Sequence, residues 1–503
     1  VSVFDSILLG LNVALQANNI LFCFVGVFCG TLIGVLPGLG PAASISLLLP
    51  VTFLVPPTAS LIMLAGIYYG AMYGGSTTSI LVNIPGEAAS VVTCFDGYAM
   101  ARQGRAGPAL GISAFGSFIG GTAGVFGLAF LSGPLTRFAL NFGAPEYFSM
   151  MMLGIMLVIY IGKGSVLKSL VTTSFGIFLG TIGTDLISGY QRFTFNILEF
   201  ADGIGIVPAV IGLFGISEVL MNVEEIAKQR TVFKSRTGLR DLFPTMQDWA
   251  RSKWPIVRGS IVGFLIGVLP GGTPILASFA SYALEKKLSK TPERFGTGMV
   301  EGVAGPETSN NAATTGAFIP LLTLGIPVNA VMGLLLGALI IHGVQPGPLL
   351  INSHPDLFWG VIVSMYLGNI MLLVLNLPLI GAWVQILRVP YPILFPLILL
   401  FCLVGSYTIN NSLIEVGITI FFGLLGFIMR RCDYEIAPLV LSLILSPMIE
   451  NNLRQSLLMS DGSALIFFNR PISAAFLIAT FAIIGLSFLP KMRRRKPVLE
   501  DEL

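Results

Sequence analysis

Gly34-Val35-Leu36-Pro37-Gly38 recurs letter for letter as Gly267-Val268-Leu269-Pro270-Gly271. Each copy interrupts an apolar run of membrane grade with residues that cannot continue a helix. A long hydrophobic chain that breaks two helices at corresponding places reads most economically as a transporter built from two repeats. Composition points the same way. With 54% hydrophobic residues, 11% charged residues and a mean hydropathy of +0.86, the 503 residues cannot hide their apolar side chains in a water-soluble globule. The sequence therefore predicts an all-α polytopic membrane protein. Its 58 Gly and 30 Pro suit close backbone approach and interrupted helices. A net charge of +3 is too small to suggest nucleic acid, and the basic residues form short clusters that set orientation.

Apolar windows predict about ten to twelve membrane segments, because a straight span needs roughly 20 residues. Residues 1–221 form a first transmembrane repeat and 255–450 a second. Between them lies a basic linker, 222–254, expected in the cytoplasm. Residues 451–503 carry a last span and a basic cytoplasmic tail with Lys491, Arg493, Arg494 and Arg495. Residues 3–16 read as a short amphipathic lead-in. Asp5 and the lack of a basic region before the apolar stretch argue against a cleavable signal.

Charge placement orients the repeats. Residues 39–60 contain no Lys or Arg, whereas the stretch after the second copy of the motif, 285–294, is rich in them. One unit further on the bias reverses: 91–105 is basic, and 342–360 is not. Equivalent loops of opposite bias imply an inverted-topology repeat. A second landmark, Asn83-Ile84-Pro85-Gly86 against Gly325-Ile326-Pro327-Val328, lies 242 positions apart, compared with 233 for the first. The extra residues fit the basic 285–294 loop, where an insertion is tolerated.

Between these landmarks lie Gly74-Gly75-Ser76-Thr77-Thr78-Ser79 and the polar run from Gly305 to Gly316, which includes Glu307, Ser309, Asn310, Asn311, Thr314 and Thr315. Lipid cannot satisfy so many polar groups, so they are expected to line a cavity at breaks in the helices, with unwound carbonyls beside the side-chain oxygens. Oxygens of this kind are hard ligands for a small cation, while the N-termini of half-helices offer N–H groups and a positive dipole to a carboxylate. Candidate binding residues are Gly38, Gly40, Ser76, Thr77, Thr78 and Asn83 in the first repeat. In the second they are Gly271, Gly272 and Thr273 with Glu307, Ser309, Asn310, Asn311, Thr314 and Thr315. The competing reading is that these small residues only let helices pack closely.

Glu87, Glu301 and Glu307 lie beside the proposed hairpins, and an ionisable group at membrane depth is a functional hypothesis by default. Glu307 is the candidate to hold a cation or a transported proton. Its alternative is an interfacial carboxylate that caps a hairpin. Asp185, Asp202, Glu415 and Glu450 fall near span ends. His342 and His354 form no ligand cluster, and the five cysteines form no Cys-x-x-Cys pair, so no transition-metal site and no resident cofactor is expected.

Four segments carry a family resemblance: GVLPGLGPAASISLLLP, GGSTTSILVNIPGEAASVVTCFDGYAMARQGRAG, GVLPGGTPILASFASYALEKK and ETSNNAATTGAFIPLLTLGIPVNAVMGLLLGAL. In this order, and over essentially the whole chain, they resemble the large membrane subunit of the tripartite tricarboxylate transporters. The resemblance implies a multi-pass protein of the bacterial inner membrane. Such a subunit works with a small four-span membrane subunit and a periplasmic solute-binding protein, and imports di- or tricarboxylates such as citrate on a cation gradient. Sodium is the expected coupling ion, with a proton as the alternative. By looser similarity, paired Ser/Asn/Thr hairpin tips occur in elevator-type carboxylate transporters, where a moving domain carries the site across the membrane.

Two other function classes are weaker. An intramembrane hydrolase needs a nucleophile and base at reacting distance, and no Gly-x-Ser-x-Gly, His-Glu-x-x-His or acid pair is present. A passive channel can use re-entrant loops, but inverted halves with two polar breaks favour alternating access. The chain is accordingly expected to be a secondary transporter subunit and not an enzyme.

Overall fold

The computed structural model describes residues 3–36, 40–161, 165–185, 188–224, 242–386 and 391–487. The basic tail, Gly38 and residues 225–241 of the linker lie outside these. Seventeen helices carry the description below. The first repeat contains α1 (Val3–Ala14), α2 (Ala17–Val35), α3 (Pro41–Leu48), α4 (Pro57–Val82), α5 (Ala106–Ala139), α6 (Ala144–Ile161) and α7 (Val166–Leu179). The rest contains α8 (Met246–Val268), α9 (Pro274–Leu288), α10 (Glu301–Gly316), α11 (Phe318–Leu324), α12 (Ala330–Ile341), α13 (Pro355–Asn376), α14 (Tyr391–Asn410), α15 (Leu413–Arg431), α16 (Ile436–Leu458) and α17 (Pro471–Ser487). Among the described residues the strands are a two-residue antiparallel pair, Gly183–Thr184 with Gln191–Arg192.

The protein is all-α and built for lipid. Helices α2, α5, α13, α15 and α16 are long and apolar enough to cross a membrane, and shorter apolar helices accompany them. Large apolar side chains such as Leu21, Phe126, Leu265, Phe421 and Ile478 point outward, while hydroxyls such as Thr31, Ser44, Ser46 and Ser442 are buried. With hydrocarbon outside, helices associate through close packing and internal hydrogen bonds.

Two glycine rows set the central packing. Gly26, Gly30 and Gly34 repeat every four residues and so share one face of α2, which lies against the backbone of α4 at Met63, Ile67 and Ala71. Gly259, Gly263 and Gly267 do the same on α8, against Gly305, Ser309 and Ala313 of α10. A Cβ at Gly30 would stand 2.5 Å from the Ile67 carbonyl oxygen, and one at Gly259 would stand 2.5 Å from that of Gly305. The glycines of the two rows are 233 residues apart and their targets 242, the same offsets as the two sequence landmarks.

Helix ends follow the same correspondence. Leu36 and Leu269 end α2 and α8 in extended conformation, each with its N–H bonded to the carbonyl three residues back. Pro41 and Pro274 open the next helices after extended caps at Gly40 and Thr273. Asn83 at φ 58° and Gly325 at φ 71° close α4 and α11 in left-handed conformation. Glu87 and Asn329 then cap the following turns through their side chains.

Three sequence expectations change. Ser76, Thr77 and Thr78 were expected at an unwound break but lie inside the unbroken α4, and the run 305–316 is likewise helical. Several of their hydroxyls bond carbonyls of their own helix, as Ser76 Oγ does on Met72 O at 3.2 Å and Thr314 Oγ1 on Asn310 O at 2.8 Å. Burial among helices removes the need for exposed carbonyls. The two polar runs are also not equivalent positions, because the offset of 242 aligns 76–78 with 318–320. Finally, α8 starts at Met246 with a Thr245–Asp248 capping box, inside the stretch assigned to the linker.

Candidate functional site

A carboxylate with no basic partner among the described residues lies between the first and second halves of the chain. Glu307, on α10, is fully buried. Its Oε2 accepts from Ser76 Oγ of α4 at 2.6 Å, from Asn310 Nδ2 at 3.4 Å and from Ser117 Oγ of α5 at 3.5 Å. Thr93 Oγ1, from the short helical turn Val91–Thr93, donates to Oε1. Three segments distant in sequence thus converge on one acid of α10. Several other acids are ion-paired: Glu301 with Arg251 at 2.8 Å, Asp185 with Arg454 at 2.8 Å, Glu450 with Arg192 at 2.9 Å and Glu146 with Arg470 at 2.5 Å, whereas buried Glu87, Asp96 and Glu415 rely on hydrogen bonds. Among the described residues, no ion pair reaches Glu307.

Such an arrangement is costly unless something balances the charge, since an isolated buried carboxylate loses its hydration without recovering a Coulomb partner. Hydroxyl and amide donors stabilise the charge but do not neutralise it. A proton or a cation would.

The remaining candidates fall around this centre in different roles. Asn310 and Asn311 are coupled, with Asn311 Nδ2 donating to Asn310 Oδ1 at 2.5 Å and to Glu307 O at 3.1 Å, while Asn311 Oδ1 is left without a partner. Ser309 turns away to donate to Ala277 O of α9 at 2.9 Å. Thr314 and Thr315 bond carbonyls of their own helix. Thr78 Oγ1 donates to Val35 O at 2.7 Å and ties α4 to the end of α2. Thr77 lines a small cavity described below.

The breaks themselves act as helix starts and stops. Gly40 and Thr273 are N-caps, and Thr273 Oγ1 accepts from Leu276 N at 3.2 Å. Gly271, at φ +79°, donates to Val328 O at 2.9 Å, which joins the two breaks of the second repeat. Gly272 packs against the backbone of Ile266, and Asn83 is the left-handed cap of α4. Glu87 Oε2 accepts from Ala89 N at 2.7 Å, and Oε1 has no partner.

Several residues escaped the sequence reading. Ser113 and Ser117, four apart on α5, stand beside Glu307 on the face that also carries Gly116 and Gly120. That small-residue stripe is a signal the sequence offers. Thr93 has no such signal, because only tertiary contact identifies it. Asp96 is also buried: Oδ1 accepts from the backbone N–H groups of Gly296, Gly298 and Met299 at 3.0, 2.8 and 2.7 Å, and Oδ2 from Tyr282 Oη at 3.0 Å. It fastens the loop before α10 to the first repeat.

Comparison with known proteins follows the same line. Residues 20–441 match the model of the family described as "Tripartite tricarboxylate transporter TctA family". The chain is 49% identical over 488 residues, 97% of either chain, to the "Uncharacterized 52.8 kDa protein in TAR-I ttuC' 3'region" of Agrobacterium vitis. It is 50% identical over 234 residues to the "Uncharacterized protein in TAR-II ttuC' 3'region" of the same organism, which covers 46% of this chain and 97% of the relative. No solved structure matches.

Proposed function

The chain belongs to the tripartite tricarboxylate transporter TctA family, and from that membership we propose that it is the transport pathway of a secondary carboxylate importer driven by a cation. As a multi-pass membrane subunit of a tripartite system it works with further subunits. The finer reading is a bacterial inner-membrane importer of di- or tricarboxylates, fed by a periplasmic solute-binding protein and a small four-span partner, with sodium as the coupling ion. The observation that carries it is Glu307, a buried acid held by Ser76, Thr93, Ser117 and Asn310 with no basic partner.

In this mechanism the cation neutralises Glu307 and makes the centre of the protein passable. The carboxylate solute meets the N-terminal ends of α3 and α9, where Gly40 and Thr273 precede prolines and backbone N–H groups are free of helical partners. Charge balance then couples the two, because the anion enters favourably only once the buried negative charge is compensated.

An inverted relation between the halves is supported by reciprocal contacts. Ser76 of α4 and Asn310 of α10 meet at the Glu307 carboxylate, which both bond. At the equivalent positions, 242 residues on and back, Phe318 meets Tyr68 with ring centroids 6.5 Å apart. Reciprocal pairs of this kind are what a two-fold axis between α4 and α10–α11 produces. An elevator-like movement of these crossed helices against α14–α17 follows from the reading.

Two experiments test it. Uptake in proteoliposomes holding the chain with its membrane partner should be saturable, dependent on the solute-binding protein and dependent on cation. Full uptake by the chain alone overturns the tripartite reading. Cysteines placed in 285–294 and in 342–360, in a background cleared of native cysteine, should label from opposite sides with an impermeant reagent. Labelling of both from one side removes the inversion.

A further inference from the structure

Next to Glu307 a small cavity opens between three helices. Tyr73 and Thr77, one turn apart on α4, form one wall, with Ser113, Leu110 and Ala114 of α5 opposite. Asn376, the last residue of α13, closes it together with Ile380. All four polar side chains are at least nine-tenths buried. The space admits about one water-sized occupant, which is far too little for a tricarboxylate.

Two of these side chains present oxygens that nothing in the protein satisfies. Tyr73 Oη has no hydrogen-bond partner. Asn376 Nδ2 donates to Leu372 O at 2.9 Å, which fixes the amide and leaves Oδ1 without a partner. Buried polar atoms normally find partners, so two orphans around one cavity call for an occupant. Both oxygens offer free lone pairs, and three features favour a cation over water as the occupant. The acceptors are hard and uncharged. Asn376 is the last residue of α13, so the negative end of that helix dipole lies beside the same space. Ser113 and Tyr73 also stand within electrostatic reach of the Glu307 carboxylate, which supplies a single compensating negative charge.

We propose that the coupling cation, a small monovalent ion of sodium's kind, is held by Tyr73, Thr77, Ser113 and Asn376 beside Glu307, separate from the solute. The inference rests on the cation-driven transport reading above. It adds that α13, far from either polar run in sequence, supplies a ligand, so cation binding ties α4 and α5 to α13.

The test uses the full chain with its partners in proteoliposomes. Solute uptake is measured against external sodium, with choline as replacement, and sodium-22 binding is measured on the purified chain. Tyr73→Phe and Asn376→Leu should each raise the half-saturating sodium concentration about tenfold, and weaken sodium-22 binding to match, at unchanged solute dependence under saturating sodium. Tyr73→Phe is the sharper variant. If the hydroxyl only packs, or is met only by water, its removal leaves sodium dependence untouched, and that result overturns the proposal. Should Asn376→Leu fail to reach the membrane, Asn376→Asp adds a charge at the same atom and should lower the half-saturating concentration. No shift in either direction counts against the site. Wild-type uptake indifferent to sodium overturns it too. If Glu307→Gln abolishes cation dependence while Tyr73→Phe and Asn376→Asp leave it intact, this cavity is wrong and the wider reading stands. If Glu307→Gln also leaves cation dependence intact, both fall.

Discussion

The two halves of the molecule share a backbone plan and differ in what fills it. Ser76 and Asn310, which both bond Glu307, occupy the repeat positions of Phe318 and Tyr68, whose rings pack 6.5 Å apart. Glu307 itself corresponds to Ala65, which is fully buried and apolar. The glycine rows, by contrast, have kept the same four-residue spacing on both sides. Close backbone approach tolerates no side chain, so the scaffold is held fixed. A cavity can be filled by rings or by hydroxyls at similar volume, so the chemistry was free to diverge. One contact between the halves is polar, and its counterpart is a packed aromatic wall.

Four tests break or sharpen that contrast. The largest effect is expected where the halves are alike: Gly30→Val and Gly263→Val push a side chain into a carbonyl of the facing helix and should each remove most folded protein. Fluorescence-detected size-exclusion in detergent reads this, and tolerance of one but not the other would deny the common scaffold. Next comes Glu307→Gln, which keeps the shape and deletes the charge. Losing charged hydrogen bonds worth about 3 kcal/mol predicts roughly a hundredfold fall in uptake at unchanged abundance. Asn310→Ala or Asn311→Ala removes one partner of the cluster. A cost of about 1.4 kcal/mol would appear as an approximately tenfold shift in cation or solute dependence. Normal uptake with unchanged dependence in both would leave the run 305–316 as packing. The smallest effect belongs to the aromatic contact: Phe318→Leu should cost less than about 1.5 kcal/mol of stability and leave cation dependence as it was. A change in cation dependence there would make the wall part of the site.

Much of the plan is legible in the residues. Identical Gly-Val-Leu-Pro-Gly motifs mark both breaks because proline and glycine cannot continue a helix wherever they fall. Offsets of 233 and 242, read from two landmarks, reappear in the glycine rows and in the left-handed caps Asn83 and Gly325. Polar runs around Ser76 and Glu307 stood out against their apolar surroundings, and both lie at the centre. Their conformation did not follow. Hydroxyls in an apolar run signal either an unwound break or a helix buried against other helices. Local sequence cannot separate these, since the same side chains bond an exposed ligand or their own i−4 carbonyl.

By itself, then, the sequence determined the membrane class, the matching glycine rows and the points where helices stop, because each depends on local composition and on residues with intrinsic backbone limits. Only the tertiary structure decided which polar atoms meet. Thr93 and Asn376 carry no local mark of function, and Ser309, Thr314 and Thr315, which do, turn to backbone carbonyls instead. The reason is geometric: a site at the crossing of helices some 200 residues apart in sequence is fixed by how closely glycine lets those helices approach and by which face each turns inward. No periodicity within one helix encodes the face of its partner.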